Sequence, residues 1–422
     1  MAIFQRFVNY FKIFSDRKLL AFMGSGLIVS VAYMDPGNWG TDISGGALFN
    51  YDLLWVVWLA SGMAMLFQYL SGKLGIAGYS LPELVKEKLR NKWLVFSYWV
   101  LAEIVILATD LAEFLGIVVA LNLLFGIPLL WGTYIAVADI LIIILLTQNR
   151  FRILEQAFII FVSIIGLGFV YELFITKPEM TPVLIHSIKP ILTKESALIA
   201  VGIIGATVMP HALFVHSWLI KNKIINGNFG DKFKMLKFHL IDNVVSLTIA
   251  GFINAAIIIM SAAAFYKTGI NVGTLDQAYR TLIPLFGSLA ALIFALALLS
   301  AGISSSVTGT LAGQAVMDGL TGFRIRLWVR RLITRFINVI PVTIAIILGI
   351  EPLRILVLSQ VALSLLIPLP LIPLIIYTAD KSIMHGLVNK KITSVFAVIF
   401  AFVILGFNAY LLYQVIFQGV GI

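Results

Sequence analysis

Cysteine is absent from all 422 residues, and charge is scarce, with Asp, Glu, Lys and Arg making up only 12% of the chain. The first absence removes disulfides, thiolate metal sites and cysteine nucleophiles. The second removes the ordinary soluble domain, in which about a quarter of residues are charged. No His-Glu-x-x-His pattern occurs, and no serine and histidine stand together in a context suited to nucleophilic catalysis. An intramembrane enzyme is therefore not expected. Long polar stretches are missing as well: loops reach only about twenty residues, too short for a soluble domain.

What the chain has in excess is apolar sequence, 60% of residues, with a mean hydropathy of +1.02. Spans of about 20 such residues cross a bilayer as helices. Eleven can be drawn, at roughly 19–48, 52–72, 93–121, 129–147, 153–175, 197–220, 239–265, 281–313, 332–349, 353–378 and 393–417. The eighth exceeds a simple span and is expected to end near Thr310, continuing as a cytoplasmic stub. The class is an all-α integral membrane protein with 11 transmembrane helices. Residues 1–18 carry Arg6, Lys12, Arg17 and Lys18 among aromatics with no small-residue cleavage site after them. They read as an amphipathic cationic segment on the cytoplasmic surface, and not as a cleaved signal.

The net charge of +10 would suit a nucleic-acid partner, but the basic residues lie in short loops between apolar spans. Topology accounts for them better. With the N-terminus inside, only Lys177, Lys189, Lys194, Lys267, Arg280 and Arg354 fall outside, leaving 24 of the 30 on the cytoplasmic side. That asymmetry supports both the span count and the orientation. The expected setting is the inner (plasma) membrane, N-terminus cytoplasmic and C-terminus outside. The lipid bilayer is the expected partner, with no nucleic acid and no obligate protein partner.

Two spans are interrupted. Met34-Asp35-Pro36-Gly37-Asn38 sets a carboxylate, a helix breaker, a glycine and an amide inside the first apolar span. Ala206-Thr207-Val208-Met209-Pro210-His211 does the same in the sixth, with a thioether and an imidazole. Proline beside glycine frees backbone groups from the helix ladder, and such groups are tolerated at bilayer depth only where protein or water receives them. A proline kink with a snorkelling carboxylate is the bland alternative. The breaks are five spans apart; if spans one to five (19–175) and six to ten (197–378) are repeats, the breaks occupy matching positions, and the odd repeat length gives the two halves opposite topology. Residues 393–417 are an added eleventh span. Paired breaks at matching positions point to a transporter site near the midplane.

Asp35 and Asn38 offer one anionic and one neutral oxygen, unwound backbone near Ala32 and Ala206 offers carbonyls, and Met209 a soft sulfur. Magnesium and calcium prefer oxygen alone; a thioether tilts a site toward softer divalent transition metals. Ordinary packing is the other reading of Met209. His211 suits proton transfer and also direct coordination. His216 follows five residues on, while His186, His239 and His385 fall in loops or at span ends and receive no role. Glu103, Asp110 and Glu113, spaced by seven and three, share one face of span three. Three carboxylates there need partners, and Arg330 and Arg331 at the start of span nine are available. The cluster is either an ion network tying two helices or a proton route to the cytoplasm. Gln360 could complete a coordination sphere. Asn254, Ser304, Ser305, Ser306 and Thr308 read as structural hydrogen-bonders.

Asp35-Pro36-Gly37-Asn38 and Met209-Pro210-His211 resemble the paired signatures of the Nramp family of proton-coupled divalent metal transporters. The likeness extends to Ala108-Thr109-Asp110-Leu111-Ala112-Glu113, Ser305-Ser306-Val307-Thr308-Gly309-Thr310, Ala312-Gly313-Gln314 and Ser359-Gln360-Val361. The resemblance implies the LeuT-type fold, two inverted five-helix repeats with broken helices 1 and 6 plus helix 11. It implies metal binding by Asp35, Asn38, Met209 and the backbone carbonyls of Ala206 or Ala32, with Gln360 joining in some conformations. It implies a proton pathway through Asp35, His211, Glu113, Asp110, Glu103, Arg330 and Arg331. Mn2+ and Fe2+, with Cd2+ and Co2+ also accepted, and H+ are then transported substrates, and no resident cofactor is expected. A sodium-coupled symporter for a small organic solute on the same fold is the alternative, and a channel a further one. Ala212, Ile303 and Leu365-Leu366-Ile367-Pro368 depart from the family pattern, the last two where relatives often carry glutamine.

Overall fold

In the computed structural model, residues 25–141, 151–226, 231–267 and 274–418 are described. The expected surface segment 1–18 lies outside them. The described residues form helices and the turns between them. In order these are α1 (Ser25–Ala32), α2 (Pro36–Phe49), α3 (Leu54–Ala77), α4 (Leu81–Leu89), α5 (Lys92–Phe125), α6 (Leu129–Ala136), α7 (Phe151–Thr176) and α8 (Met180–Ile188). Then follow α9 (Ala197–Val208), α10 (Pro210–Asn226), α11 (Lys232–Ser261, prolonged by a π-turn Ala262–Tyr266), α12 (Leu275–Phe286) and α13 (Ser288–Thr321). After α14 (Leu327–Ile347), α15 (Pro352–Leu366) and α16 (Pro368–Ala379), the last long helix is α17 (Lys391–Gln418).

Local signals set the helix ends. Asn91 and Asp231 cap α5 and α11 by accepting the N–H of Trp93 at 2.9 Å and of Phe233 at 2.8 Å. Gly78, Gly126 and Gly322 close α3, α5 and α13 at φ of 114°, 67° and 86°, where a Cβ would be strained.

Eight stretches among the described residues are long and apolar enough to cross a membrane. The three other predicted spans miss that criterion for identifiable reasons. The first is split at Tyr33–Asp35 into two short helices, and the fourth runs into residues outside the description. The ninth carries Arg330, Arg331 and Arg335 inside α14.

One expectation is corrected. The eighth span does not begin at 281: Gly287, at φ 91°, separates α12 from a single helix that runs past Thr310 to Thr321. Beyond Thr310 this helix is buried at Ala312, Gly313, Ala315 and Val316. Arg330, Arg331 and Arg335 are buried in α14.

The broken helices form the centre. The most apolar stretch of Ala197–Ile225 is 94% buried, against 22% for Lys391–Gln418 at the rim. α2 packs on α9, α11 and α15; α10 packs on α3 and α13; α5 and α13 form the most extensive helix pair. Close approach depends on glycine. A Cβ on Gly205 would overlap the backbone carbonyl of Gln360, and one on Gly116 would overlap the ring of Pro36.

A third break, between α15 and α16 at Ile367–Pro368, was not foreseen. Its loosened backbone is met by α17: Asn408 donates to the Ser364 carbonyl at 2.8 Å and accepts from the Ser364 hydroxyl at 2.8 Å.

Gly205→Ala should destabilise the protein by about 1–3 kcal/mol, because backbone cannot swing aside as a side chain can. Gly62→Ala meets nothing within 4 Å and should be neutral or stabilising by about 0.5–1 kcal/mol, the gain of alanine over glycine in a helix. Thermal unfolding of the two purified variants beside wild type is the check; equal melting temperatures would contradict the packing.

Candidate functional site at two helix breaks

Asp35 sits in extended backbone, φ −70° and ψ 163°, as the N-cap of α2, with Pro36 at the first helical position where its missing N–H costs nothing. Its Oδ1 accepts the Asn38 N–H at 2.9 Å and the Asn38 side-chain amide at 2.7 Å. Its Oδ2 is buried without a hydrogen-bond partner among the described residues. Across from it, Met209 ends α9 at φ 47°, a left-handed conformation that is strained for a residue with a side chain. Pro210 again opens the following helix.

Asn38 joins the two breaks. Its amide also donates to the Ala206 carbonyl at 3.1 Å, while its Oδ1 accepts from Thr207 at 3.4 Å and from Asn254 at 3.2 Å. Asn254 in turn holds the freed Tyr33 carbonyl at 2.9 Å, and Thr308 donates to the Ile28 carbonyl of α1 at 3.2 Å. Asn254 thus serves the unwound backbone of the first span and Thr308 the helix before it, whereas Ser304, Ser305 and Ser306 bond within α13. The Ala32 carbonyl accepts the Asp35 N–H at 3.3 Å, inside the turn.

Gln360 completes the surroundings. A Cβ on Gly37 would overlap the Gln360 amide and lie 3.0 Å from Asp35 Oδ2, so glycine lets the two approach. Gln360 donates to Ser359 Oγ at 3.0 Å, and its Oε1 has no partner among the described residues. Asp35, Asn38, Met209 and Gln360 are each 0–1% exposed. Asp35 Oδ2 and Gln360 Oε1 are buried with no hydrogen-bond donor among the described residues, and bare buried oxygens are suited to a cation.

His211 turns toward α5. Its Nδ1 lies 3.0 Å from Thr109 Oγ1, whose own proton goes to the Val105 carbonyl at 3.0 Å. The imidazole is therefore the donor, and Nε2 carries the lone pair.

The acidic face of α5 meets α14 as expected, in pairs that can be named. Arg330 grips both oxygens of Glu103, which also accepts from Trp99 at 3.1 Å. Arg331 pairs with Asp110 and stands 3.8 Å from Glu113 Oε2.

Sequence reasoning missed three partners. Asp139 of the fourth span accepts from Arg331 at 2.6 Å and from Arg335; Arg335 also stands 3.2 Å from Asp110; Asn338 donates to Asp110 at 2.8 Å. The signal was present: Arg331, Arg335 and Asn338 recur at helical spacing, and Asp139 is the one charge in its apolar stretch. The buried core of this cluster holds Asp110, Glu113 and Asp139 against two guanidinium groups, one carboxyl more than the cations can neutralise. Glu113 is the outlying one, with neither oxygen hydrogen-bonded among the described residues.

Two further carboxyls were also unforeseen, Asp42 on α2 two turns beyond Asp35, and Glu172 on α7. Both are buried without hydrogen bonds among the described residues. His239, read as lying at a span end, is buried as well.

Fold and site together define a multi-pass helical membrane protein organised around discontinuous helices that meet at a buried acid. A family profile described as natural resistance-associated macrophage protein-like (Nramp) matches residues 26–414. The divalent metal cation transporter MntH of Verminephrobacter eiseniae is 46% identical over 398 residues, spanning 94% of this chain and 90% of that protein. A crystal structure of the Eremococcus coleocola manganese transporter, in complex with an aromatic bis-isothiourea substituted compound, superposes with TM-score 0.82 at 30% identity. It covers 94% of this chain and 86% of that one. The chain belongs to the Nramp family. Mhp1, a nucleobase-cation-symport-1 family transporter, shares the fold at TM-score 0.53 and 14% identity, over 93% of this chain and 88% of that one.

Asp139→Ala should cost about 3–5 kcal/mol, since it strips a buried partner from two arginines. Glu179→Ala, which breaks the pair with Lys267 where the two side chains are 65% and 40% exposed, should cost less than about 1 kcal/mol. Thermal unfolding separates them; similar losses would mean the inner network carries no special stability.

Proposed function

We propose that this chain is a proton-coupled importer of divalent transition metals, Mn2+ and Fe2+ first and Cd2+ and Co2+ also, working by alternating access in the plasma membrane. The observation that carries the reading is the meeting of Asp35 and Met209 breaks through Asn38. In this reading eleven helices take the LeuT arrangement, residues 19–175 and 197–378 being inverted repeats and 393–417 the added helix. The N-terminus is cytoplasmic and the C-terminus outside.

Asp35 Oδ2, the Asn38 oxygen and the Met209 sulfur bind the metal. The Ala206 or Ala32 carbonyl and Gln360 Oε1 join according to conformation. One carboxylate leaves a bound dication partly unneutralised, which favours its release. Asn38 Oδ1 accepts hydrogen bonds from Thr207 and Asn254, so those donors must turn aside when it binds metal. The metal and the protons are substrates, and no resident cofactor is part of the scheme.

Protons leave by a separate line. His211 hangs from Thr109, the neighbour of Asp110, and thereby links the metal site to the acidic face of α5. Asp35 gives up its proton when metal binds; the surplus carboxyl of the buried cluster, Glu113, receives it; Asp110, Glu103, Arg330 and Arg331 relay it inward. A sodium-coupled symporter of the same fold gives no account of a thioether beside the aspartate.

Uptake into sodium-free vesicles with an internal pH dye tests the scheme. Wild type should move Mn2+ and acidify the lumen, faster with an acidic exterior. Asp35→Ala should move neither. Met209→Ala should lose Cd2+ uptake more than Mn2+ uptake and become sensitive to excess Ca2+, because an oxygen-only shell suits calcium. A sodium requirement, full transport by Asp35→Ala, or unchanged discrimination in Met209→Ala would contradict it.

A further inference from the structure

A second set of metal-ligating side chains lies where α3, α10 and α11 meet. His216 on α10 and His239 on α11 are 0% and 1% exposed, and their rings meet edge to face with centroids 5.0 Å apart. His216 Nδ1 is 2.8 Å from Gln68 Oε1, and His239 Nε2 is 3.2 Å from the Tyr69 carbonyl. A carbonyl oxygen only accepts, so each ring carries its proton on the nitrogen facing α3. The opposite nitrogens, Nε2 of His216 and Nδ1 of His239, therefore hold lone pairs. Both are buried, and neither has a hydrogen-bond partner among the described residues.

The rings are fixed in place. Tyr69 stacks on His239 with planes 7° apart, and the edge of His239 occupies the space a Cβ on Gly72 would need. Packing explains one buried histidine that donates once. It does not explain two in contact that each leave an acceptor bare, at about 1–3 kcal/mol apiece. An imidazole whose far N–H is anchored on a carbonyl is how metal-binding histidines are oriented. The spacing fits too. With metal–nitrogen bonds of about 2.0–2.1 Å, two imidazoles on one tetrahedral ion have ring centroids about 5 Å apart.

We propose that His216 and His239 form a second binding site for divalent transition-metal ions. It stands seven residues along α10 from Met209, about 10 Å of helix rise. Two neutral imidazoles favour Co2+, Zn2+ and Cd2+ over Mn2+ and give little to Ca2+ or Mg2+. Remaining positions fall to water, which suits an ion held briefly. The inference rests on the transport reading for its supply of ions and not for its ligands.

Calorimetric titration of the purified full-length protein with Cd2+ tests it in wild type, Asp35→Ala, and Asp35→Ala combined with His216→Gln or His239→Gln. Glutamine keeps a polar group against α3. Wild type should bind two ions and Asp35→Ala one, and each double variant should weaken that remaining ion by at least about tenfold. No binding by Asp35→Ala, or a remaining ion indifferent to both histidine substitutions, would overturn the site. Two ions on Asp35→Ala would count against the transport ligands alone, and the histidine variants would still decide this site by losing one ion or none. Where a double variant does not fold, X-ray absorption of Cd2+ on Asp35→Ala decides: imidazole nitrogens are expected, and an oxygen-only shell overturns the proposal.

Discussion

A backbone that leaves the helix in the middle of a membrane must find hydrogen-bond partners from its neighbours, because lipid supplies none. The architecture follows from that constraint. Where the first span opens, Asn254 takes the Tyr33 carbonyl and Asp35 caps the new helix start. Where the sixth opens, Asn38 reaches across to the Ala206 carbonyl. Where the tenth predicted span opens, Asn408 of the otherwise peripheral last helix serves Ser364. Each interruption has its own asparagine, supplied by a different helix.

The same partners shape the site. Asn38 caps one break and reaches the other in one act, so the first and sixth spans cannot separate without breaking its bond to the Ala206 carbonyl. Gly37 and Gly205 bring Gln360 and its helix close. The ion network of α5 and α14 lies beside this arrangement, and the hydrogen bond between His211 and Thr109 joins the two. The buried groups at the two breaks and the carboxyl–guanidinium network thus lie in neighbouring but distinct places.

Much of this was legible in the sequence, because proline, glycine and isolated charge in apolar surroundings have few explanations. Asp35, Met209 and the pairing of the α5 acids with Arg330 and Arg331 could be read that way. Helix ends were harder. Gly287 punctuates an apolar run with no charge to mark it, so the eighth span was drawn across a break. Pro368 lies in a proline-rich stretch whose interruption becomes clear only when Asn408 is seen beside it. The helical spacing of Arg331, Arg335 and Asn338 and the isolation of Asp139 mark them as buried polar groups, but which of them pair across the helices depends on packing, which spacing does not encode. His239 was set aside for its place near a span boundary.

The central claim is that one carboxylate and one thioether, delivered by two broken helices, grip the same ion. X-ray absorption at the cadmium edge on the purified protein measures this most directly. A sulfur neighbour of the metal in wild type, absent in Met209→Ala, is the predicted result. A shell of oxygen and nitrogen alone in wild type would contradict it.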